Sequence, residues 1–224
     1  MYGVNVSTTQ PRSRLDRAQV IAAAIAHADE CGLEATSMRK VAERLHVTPM
    51  ALYKHVENRS ELIDEMLDHV LALLPEPGDQ EGWRPQVRAR ILACRSLLGR
   101  HPWMREAIET RTLATPQALG HMDALMAAMF DGGLSADLVH DAMHTLSTRM
   151  WGFTREAMPT PRVPDDPGER EQAIAEFTAN YPAIMRMATL ASHAGAGCDD
   201  DAEFAFALDL ILAGVHQLHQ GGWR

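Results

Sequence analysis

The segment TSMRKVAERLHVTPMALYKHV, Thr36 to Val56, restricts this chain more than any other stretch. Between Arg39 and Leu45, the apolar residues Val41, Ala42 and Leu45 share one stripe of a helix, while Arg39, Lys40 and Arg44 fall elsewhere on the cylinder. Such a helix buries one side and wets the other. His46-Val47 breaks the pattern. Thr48-Pro49 restarts it, because a hydroxyl that can accept from orphan N–H groups precedes a ring whose fixed φ suits the first helical position. The second helix is about two turns long. Leu52 and Val56 face inward, and Met50, Ala51, Tyr53, Lys54 and His55 point away. Two short helices, a tight turn and a polar outer end make a helix-turn-helix, whose second helix has the size to enter a DNA major groove.

The flanks agree. Asp16 with Gln19 forms a capping box and Leu15 with Val20 a hydrophobic staple, so a first helix begins at Arg17. Val20, Ile21, Ala24, Ile25 and Ala28 keep helical spacing, and Gly32 is placed as a left-handed stop. Asn58 with Glu61 makes a second box, from which an amphipathic helix through Leu62, Ile63, Met66, Leu67, Val70 and Leu74 runs to Pro75.

A net charge of −9 argues against a nucleic-acid partner until its distribution is read. Residues 36–60 hold five cations against two acids, a balance of +3, and the other 199 residues carry −12. Acidity outside the motif repels non-specific DNA and leaves contact to the reading head. Arg12, Arg14 and Arg17 form a basic N-terminal arm that could add phosphate or minor-groove contacts. There is no apolar run of 18 residues and no cationic start followed by an apolar block, so the expectation is a cytoplasmic protein with no membrane partner. Cys31, Cys94 and Cys198 are an odd count without metal spacing and read as reduced, packed thiols.

SRLDRAQVI from Ser13, GLEATSMRKVA from Gly32 and PMALYKHVENRSELID from Pro49 resemble the DNA-binding domain of the tetracycline-repressor (TetR) family almost residue for residue. YPAIMRMA from Tyr181 and FAFALDLILAGVHQL from Phe204 are similar to the last two helices of its founding branch. The resemblance implies an all-α fold: an N-terminal three-helix helix-turn-helix domain linked by a fourth helix to a C-terminal helical ligand-binding and dimerisation domain. In this reading residues 1–12 are a flexible arm, 13–74 the DNA-binding domain with its motif at 37–56, and 75–224 the effector and dimer domain.

The implied function is a DNA-binding transcriptional regulator, a repressor released from a palindromic operator by a small-molecule effector. Arg39 can reach a guanine edge or a phosphate. By resemblance Pro49, Met50 and Ala51 face the bases, where apolar contact with thymine methyls replaces hydrogen-bond readout. Tyr53 and His55 position the DNA backbone, and Arg59 clamps a phosphate. Ser37, Thr48 and Lys54 complete the DNA-facing set. Lys54 stands where the founding member has an aromatic, so its operator does not carry over.

Beyond the loop PEPGDQEG, period and punctuation predict helices near 83–98, 102–110, 116–131, 136–158, 168–191 with a break at Pro182, and 201–220, with a proline-rich loop PTPRVPDDPG between. Val139, Met143, Leu146, Met150 and Phe153 repeat at 4-3-4-3 spacing, as do Phe204, Leu208, Ile211, Val215 and Leu218. The last helix is apolar on a second side as well, at Phe206, Leu210 and Ala213. The resemblance implies a homodimer through a four-helix bundle built on Val139, Leu146, Phe153, Phe204, Leu208, Ile211, Val215 and Leu218. Met and aromatic side chains crowd the middle helices, as core or as pocket. The family cavity implies a ligand pocket among Trp103, Met104, Glu109, Met122, Met126, Met129, Phe130, Met143, Met150 and Trp151.

Tetracycline fits this pocket poorly. Glu109 stands near the place of the founding member's magnesium-holding histidine, although Glu156 matches the partner carboxylate, and the drug-contacting histidine late in helix four is absent. Glu109 with Glu156 could still hold magnesium, but no cofactor or resident metal is expected. His140 and His144 lie four apart and could ligate zinc, the basis of a metal-responsive alternative. A metalloprotease needs Glu after the first histidine, where Asp141 stands, and no phosphate loop or G-x-S-x-G elbow supports an enzyme.

Overall fold

The computed structural model describes residues 15–75, 80–111, 114–154, 164–190 and 199–223. Arg12, Arg14, Glu156, Cys198 and residues 76–79 and 159–163 of the two expected loops lie outside the described residues. Among the described residues there are eleven α-helices and one 3-10 turn, and no strand.

Helix α1, Arg17–Cys31, starts on a complete capping box: Asp16 Oδ1 accepts the Gln19 N–H at 2.8 Å and Gln19 Oε1 accepts the Asp16 N–H at 3.2 Å. Gly32 ends it at φ +84° with an extended ψ of 165°, so this is a positive-φ stop but not the left-handed one expected. Helix α2, Met38–Leu45, is capped by Ser37, whose hydroxyl accepts from Lys40 N–H. His46 closes it in the left-handed conformation, φ 54° and ψ 42°. Helix α3, Pro49–Leu52, is a single turn, shorter than the spacing predicts, with turn structure continuing to His55. The Thr48 hydroxyl makes no capping bond, so the start of α3 rests on the fixed φ of Pro49.

Helix α4, Arg59–Leu71, begins on a half-formed box. Asn58 accepts the Glu61 N–H at 3.0 Å, but the Glu61 carboxylate takes the Glu57 N–H and Arg17 instead of the Asn58 N–H. Those two contacts, the Glu57 N–H foremost, hold the Glu61 carboxyl below the usual carboxylate range. Helix α4 buries Leu62, Ile63, Met66, Leu67, Val70 and Leu71. They belong to one cluster with Val20, Ala24, Val41, Leu52 and Val56 before them and Cys94, Leu97, Met104 and Ala107 after. The three-helix head and the helices that follow α4 therefore share a single core.

Helices α5 (Trp83–Arg100), α6 (Met104–Thr110) and α7 (Pro116–Asp131) follow, then α8 (Ala136–Leu146) and a 3-10 turn, Ser147–Trp151. α7 packs against α4, α5 and α8. The long helix expected over 136–158 is not formed. Ser147 takes φ +39°, Gly152 takes φ +83°, and three side chains draw the intervening carbonyls out of the helical ladder. His121 Nε2 lies 2.8 Å from Met150 O, Arg95 Nη1 donates to Gly152 O at 3.0 Å, and the Cys94 thiol donates to Trp151 O at 3.6 Å. The heptad from Val139 to Phe153 thus bends inward instead of making a straight seam.

Helices α9 (Pro167–Asn180), α10 (Pro182–Leu190) and α11 (Asp200–Gln220) complete the chain, and the α9–α10 break falls at Pro182. The described residues form two compact units, one up to Phe153 together with those from Val215, the other from Thr154 to Gly214. In the second, α9 packs on α10, and neither helix buries a side chain. No helix among the described residues is long and apolar enough to cross a membrane.

A Cβ on Gly152 would meet Arg95 Cα at 2.5 Å, at a φ other residues resist. Gly152→Ala is therefore expected to cost roughly 3 kcal/mol in urea unfolding. Acid should act at the same corner. His121 is fully buried and its pKa is lowered from 6.5 to about 4, chiefly by burial, against the opposing bond to Met150. The unfolded chain protonates first, so stability present above pH 6.5 declines between 6.5 and about 4. A loss of about 3 kcal/mol follows, and urea midpoints for wild type and His121→Leu across that range check it: the variant should lose less.

Candidate nucleic-acid interface and effector cavity

At the reading head, α2 and α3 present Met50 at 70% exposure, Tyr53 at 47% and Arg39 with its side chain at 82%. Thr48, Pro49 and Lys54 are exposed too, whereas Ala51, Ser37 and His55 are half-buried and Leu52 and Val56 lie in the core. The exposed set forms one face because burial of Leu52 and Val56 fixes the rotation of the turn. Arg39 Nε donates to Glu43 Oε1 at 2.9 Å and Lys40 Nζ to Glu43 Oε2 at 3.0 Å, so one carboxylate holds both cations. Those bonds, Lys40 first, keep the Glu43 carboxyl below its ordinary range.

Two cations expected at phosphates also make bonds within the fold. Arg59, an exposed residue, donates from Nε to Thr36 O at 2.8 Å and from Nη2 to Leu33 O at 2.7 Å. The chain between α1 and α2 has no ladder to satisfy those carbonyls, and the guanidinium fork does so. Arg17 bonds His55 O, Glu61 and Glu65, tying α1 to α3 and α4 instead of reaching out with the arm. Arg44 clasps Glu30 with two bonds of 2.7 and 2.6 Å. Cys31 is exposed, not packed as expected, while buried Cys94 has its thiol pushed up to about 12 by burial and stays protonated.

Sequence reasoning missed the ties between the head and the helices behind it. Asp29 Oδ1 accepts from Trp103 Nε1 at 2.8 Å and from His101 Nδ1 at 2.8 Å, which fixes the histidine proton on Nδ1 because a carboxylate only accepts. Partners 74 and 72 residues apart leave no local sequence signal.

Farther back, a cavity of about 520 Å³ opens between α6, α7, α8 and the 3-10 turn. Of the expected pocket residues, Glu109, Met122, Met126, Phe130, Met143, Met150 and Trp151 line it. Trp103, Met104 and Met129 do not: all three are buried, and Trp103 and Met104 belong to the cluster shared with the head. Val139 and Phe153, expected at a subunit contact, line the cavity instead. Leu146, Phe204, Leu208 and Val215 are interior as well, Ile211 is half-buried, and Leu218 alone of that set is exposed. The reason is helical period: the 204–208–215 stripe of α11 is the buried one, which leaves Phe206 and Leu210 outside at 67% and 58% exposure. His140 and His144 line the cavity with ring centroids 4.5 Å apart. No group of three or more metal-ligating side chains occurs among the described residues.

Residues 20–66 match the family model of bacterial regulatory proteins of the tetR family, and residues 74–219 match the tetracyclin repressor-like C-terminal domain. The chain belongs to the TetR family. It is a DNA-binding transcriptional regulator, 31% identical over 223 residues to the HTH-type transcriptional repressor DrrR1 of Streptomyces coeruleorubidus, covering 93% of this chain and 79% of that one. The class C tetracycline repressor of Escherichia coli is 28% identical, covering 92% of this chain and 93% of the repressor. Among solved structures, ActR of Streptomyces coelicolor in complex with actinorhodin aligns at a TM-score of 0.66 and 26% identity, covering 91% and 96% of the two chains.

In this TetR-family chain, the roles of Arg59 and Lys54 separate by experiment. Arg59→Ala should lower head stability by about 2 kcal/mol, since it strips two carbonyls of charged donors. Lys54→Ala should leave thermal unfolding unchanged but reduce the slope of log K against log salt for DNA by about one.

Proposed function

We propose that this chain is a repressor that, as a homodimer, occupies a palindromic operator until a small-molecule effector enters the cavity of α6–α8. The observation that carries the reading is the continuity of one buried core from α1–α3 through α4 to α6, whose last turn walls that cavity. A molecule that moves α6 has only packed side chains through which to act, and packed cores shift between discrete arrangements instead of deforming smoothly. Residues 13–74 serve as the reading head in this account, with Arg39, Met50, Tyr53 and Lys54 toward the duplex, and 75–224 as the effector and dimer domain. DrrR1 and the class C repressor support the repressor assignment by kinship, and ActR, solved in complex with actinorhodin, supports a small-molecule effector.

A second copy is required because one head makes too few contacts, whereas paired heads read half-sites roughly 34–36 Å apart. The stripe of Phe206 and Leu210 is where we place the subunit contact, with Leu218, since six of the eight residues first expected there are interior. An effector that alters the separation of the heads then abolishes operator binding without touching DNA.

The test is a gel shift of the full-length protein on the DNA upstream of its own gene. Wild type should bind in the nanomolar range typical of specific sites, roughly 10⁻⁸ M or tighter. Arg39→Glu with Lys54→Glu should weaken binding by at least about 100-fold. Unchanged binding by the double variant would refute the head assignment.

A further inference from the structure

Next to the large cavity lies a smaller chamber of about 190 Å³, bounded by Leu67 of α4, Ile108 of α6, Arg111, Thr115, Ala118 and Trp151. Ile108 and Trp151 line both volumes, so these two side chains are the wall between them. Among the described residues, Arg111 is the one charged side chain on the inner lining. Its Nη2 donates to Asp64 Oδ2 at 2.6 Å and to Ser60 Oγ at 2.8 Å, both on α4. Asp64 Oδ1 is buried and has no hydrogen-bond partner among the described residues.

We propose that the inner chamber is a binding subsite for the acidic oxygen of a ring-containing effector, a carboxylate or an ionised phenol, which takes Arg111 from Asp64. The inference rests on reading the larger cavity as the effector site. That cavity, rich in thioether and aromatic groups, receives the apolar body. A charged end cannot be left in such surroundings without a partner. A guanidinium fork is the side chain best shaped to hold it.

Competition follows from charge. An anion at Arg111 stands against the Asp64 carboxylate, and between partly buried groups their repulsion is several times what water allows. Asp64, whose side chain is 36% exposed, recovers solvation by turning outward, and the tie between Arg111 and α4 is lost. Because α4 carries the head, loss of that tie links acid binding at Arg111 to the position of the head, which is a coupling free energy between two sites. A neutral ligand of the same shape fills the larger cavity and leaves Asp64 on Arg111.

Matched probes decide the matter: naphthalene-, anthracene- and biphenyl-carboxylic acids against their primary amides, titrated into the full-length protein by tryptophan fluorescence and calorimetry. Wild type should bind at least one acid tenfold or more tighter than its amide. Arg111→Gln should erase that preference while keeping amide affinity within twofold, Arg111→Lys should retain part of it, and Asp64→Asn should strengthen acid binding several-fold. Should Arg111→Gln fail to melt cooperatively, the Lys and Asn variants carry the test. An acid preference untouched in Arg111→Gln, or acid binding weakened in Asp64→Asn, overturns the subsite and leaves the larger cavity as the effector site. If no probe binds, or if the cavity-filling Met126→Trp alters none of the affinities, the reading of the larger cavity fails and the subsite fails with it.

Discussion

Helix α4 buries six of its thirteen residues, and the rest of the first unit depends on that. Its six interior side chains contribute on the order of 10 kcal/mol relative to exposure, comparable with the whole stability of an ordinary domain. It packs against α1 on the head side and against α5, α6 and α7 on the other. A head cut off after Leu74 would keep the sequence of a helix-turn-helix but expose one flank of α4. The same arrangement makes α4 a packed route between the head and the cavity, beside the tie of Asp29 on α1 to His101 and Trp103.

Apolar burial supplies the energy but not the angle. Orientation comes from a few directional contacts at the rim of the core: Asp29 with His101 and Trp103, Arg111 with Asp64 and Ser60, and Asp68 accepting the Gln117 N–H at 3.1 Å. Partly exposed pairs of this kind are individually worth about 1 kcal/mol or less. Their small size suits a protein whose head must be held in one position and released to another. A lock built from buried, fully desolvated pairs would cost more to break than the free energy a small ligand brings to one side of an equilibrium.

The legible parts of the sequence were those where local chemistry decides. The Asp16–Gln19 box, Pro49, Pro116, Pro182 and the inward pair Leu52 and Val56 each act within one turn of helix, and the structure follows them. Expectations failed where a distant group intervened. The heptad through Val139 and Phe153 is a sound helical pattern, yet His121, Arg95 and Cys94 capture the carbonyls at 150–152 from other helices. Arg59 and Arg17 carry the composition of phosphate contacts, and no local signal shows that carbonyls and carboxylates within the fold hold them as well. On α11, two apolar stripes were visible, and nothing local says which one a folded chain turns inward. The cavity was legible only as a crowd of methionines and aromatics, because lining and core draw on the same residue types.

Non-glycine backbone strain among the described residues falls at His46 and Ser147, the first in the turn of the reading head and the second at the corner that closes the cavity. Holding an ordinary residue at positive φ costs of order 1 kcal/mol or more, and such a cost persists only where the surroundings over-determine the conformation. At His46 the surroundings are the α2 and α3 contacts that aim Met50 and Tyr53. At Ser147 they are the three side chains that hold Met150, Trp151 and Gly152 against α5 and α7. A chain selected for stability alone would place glycine at the first and continue the helix through the second. Continuing it would straighten α8 and carry Trp151 off the wall between the two chambers, so the bend that opposes local helix propensity is also what gives the cavity its shape.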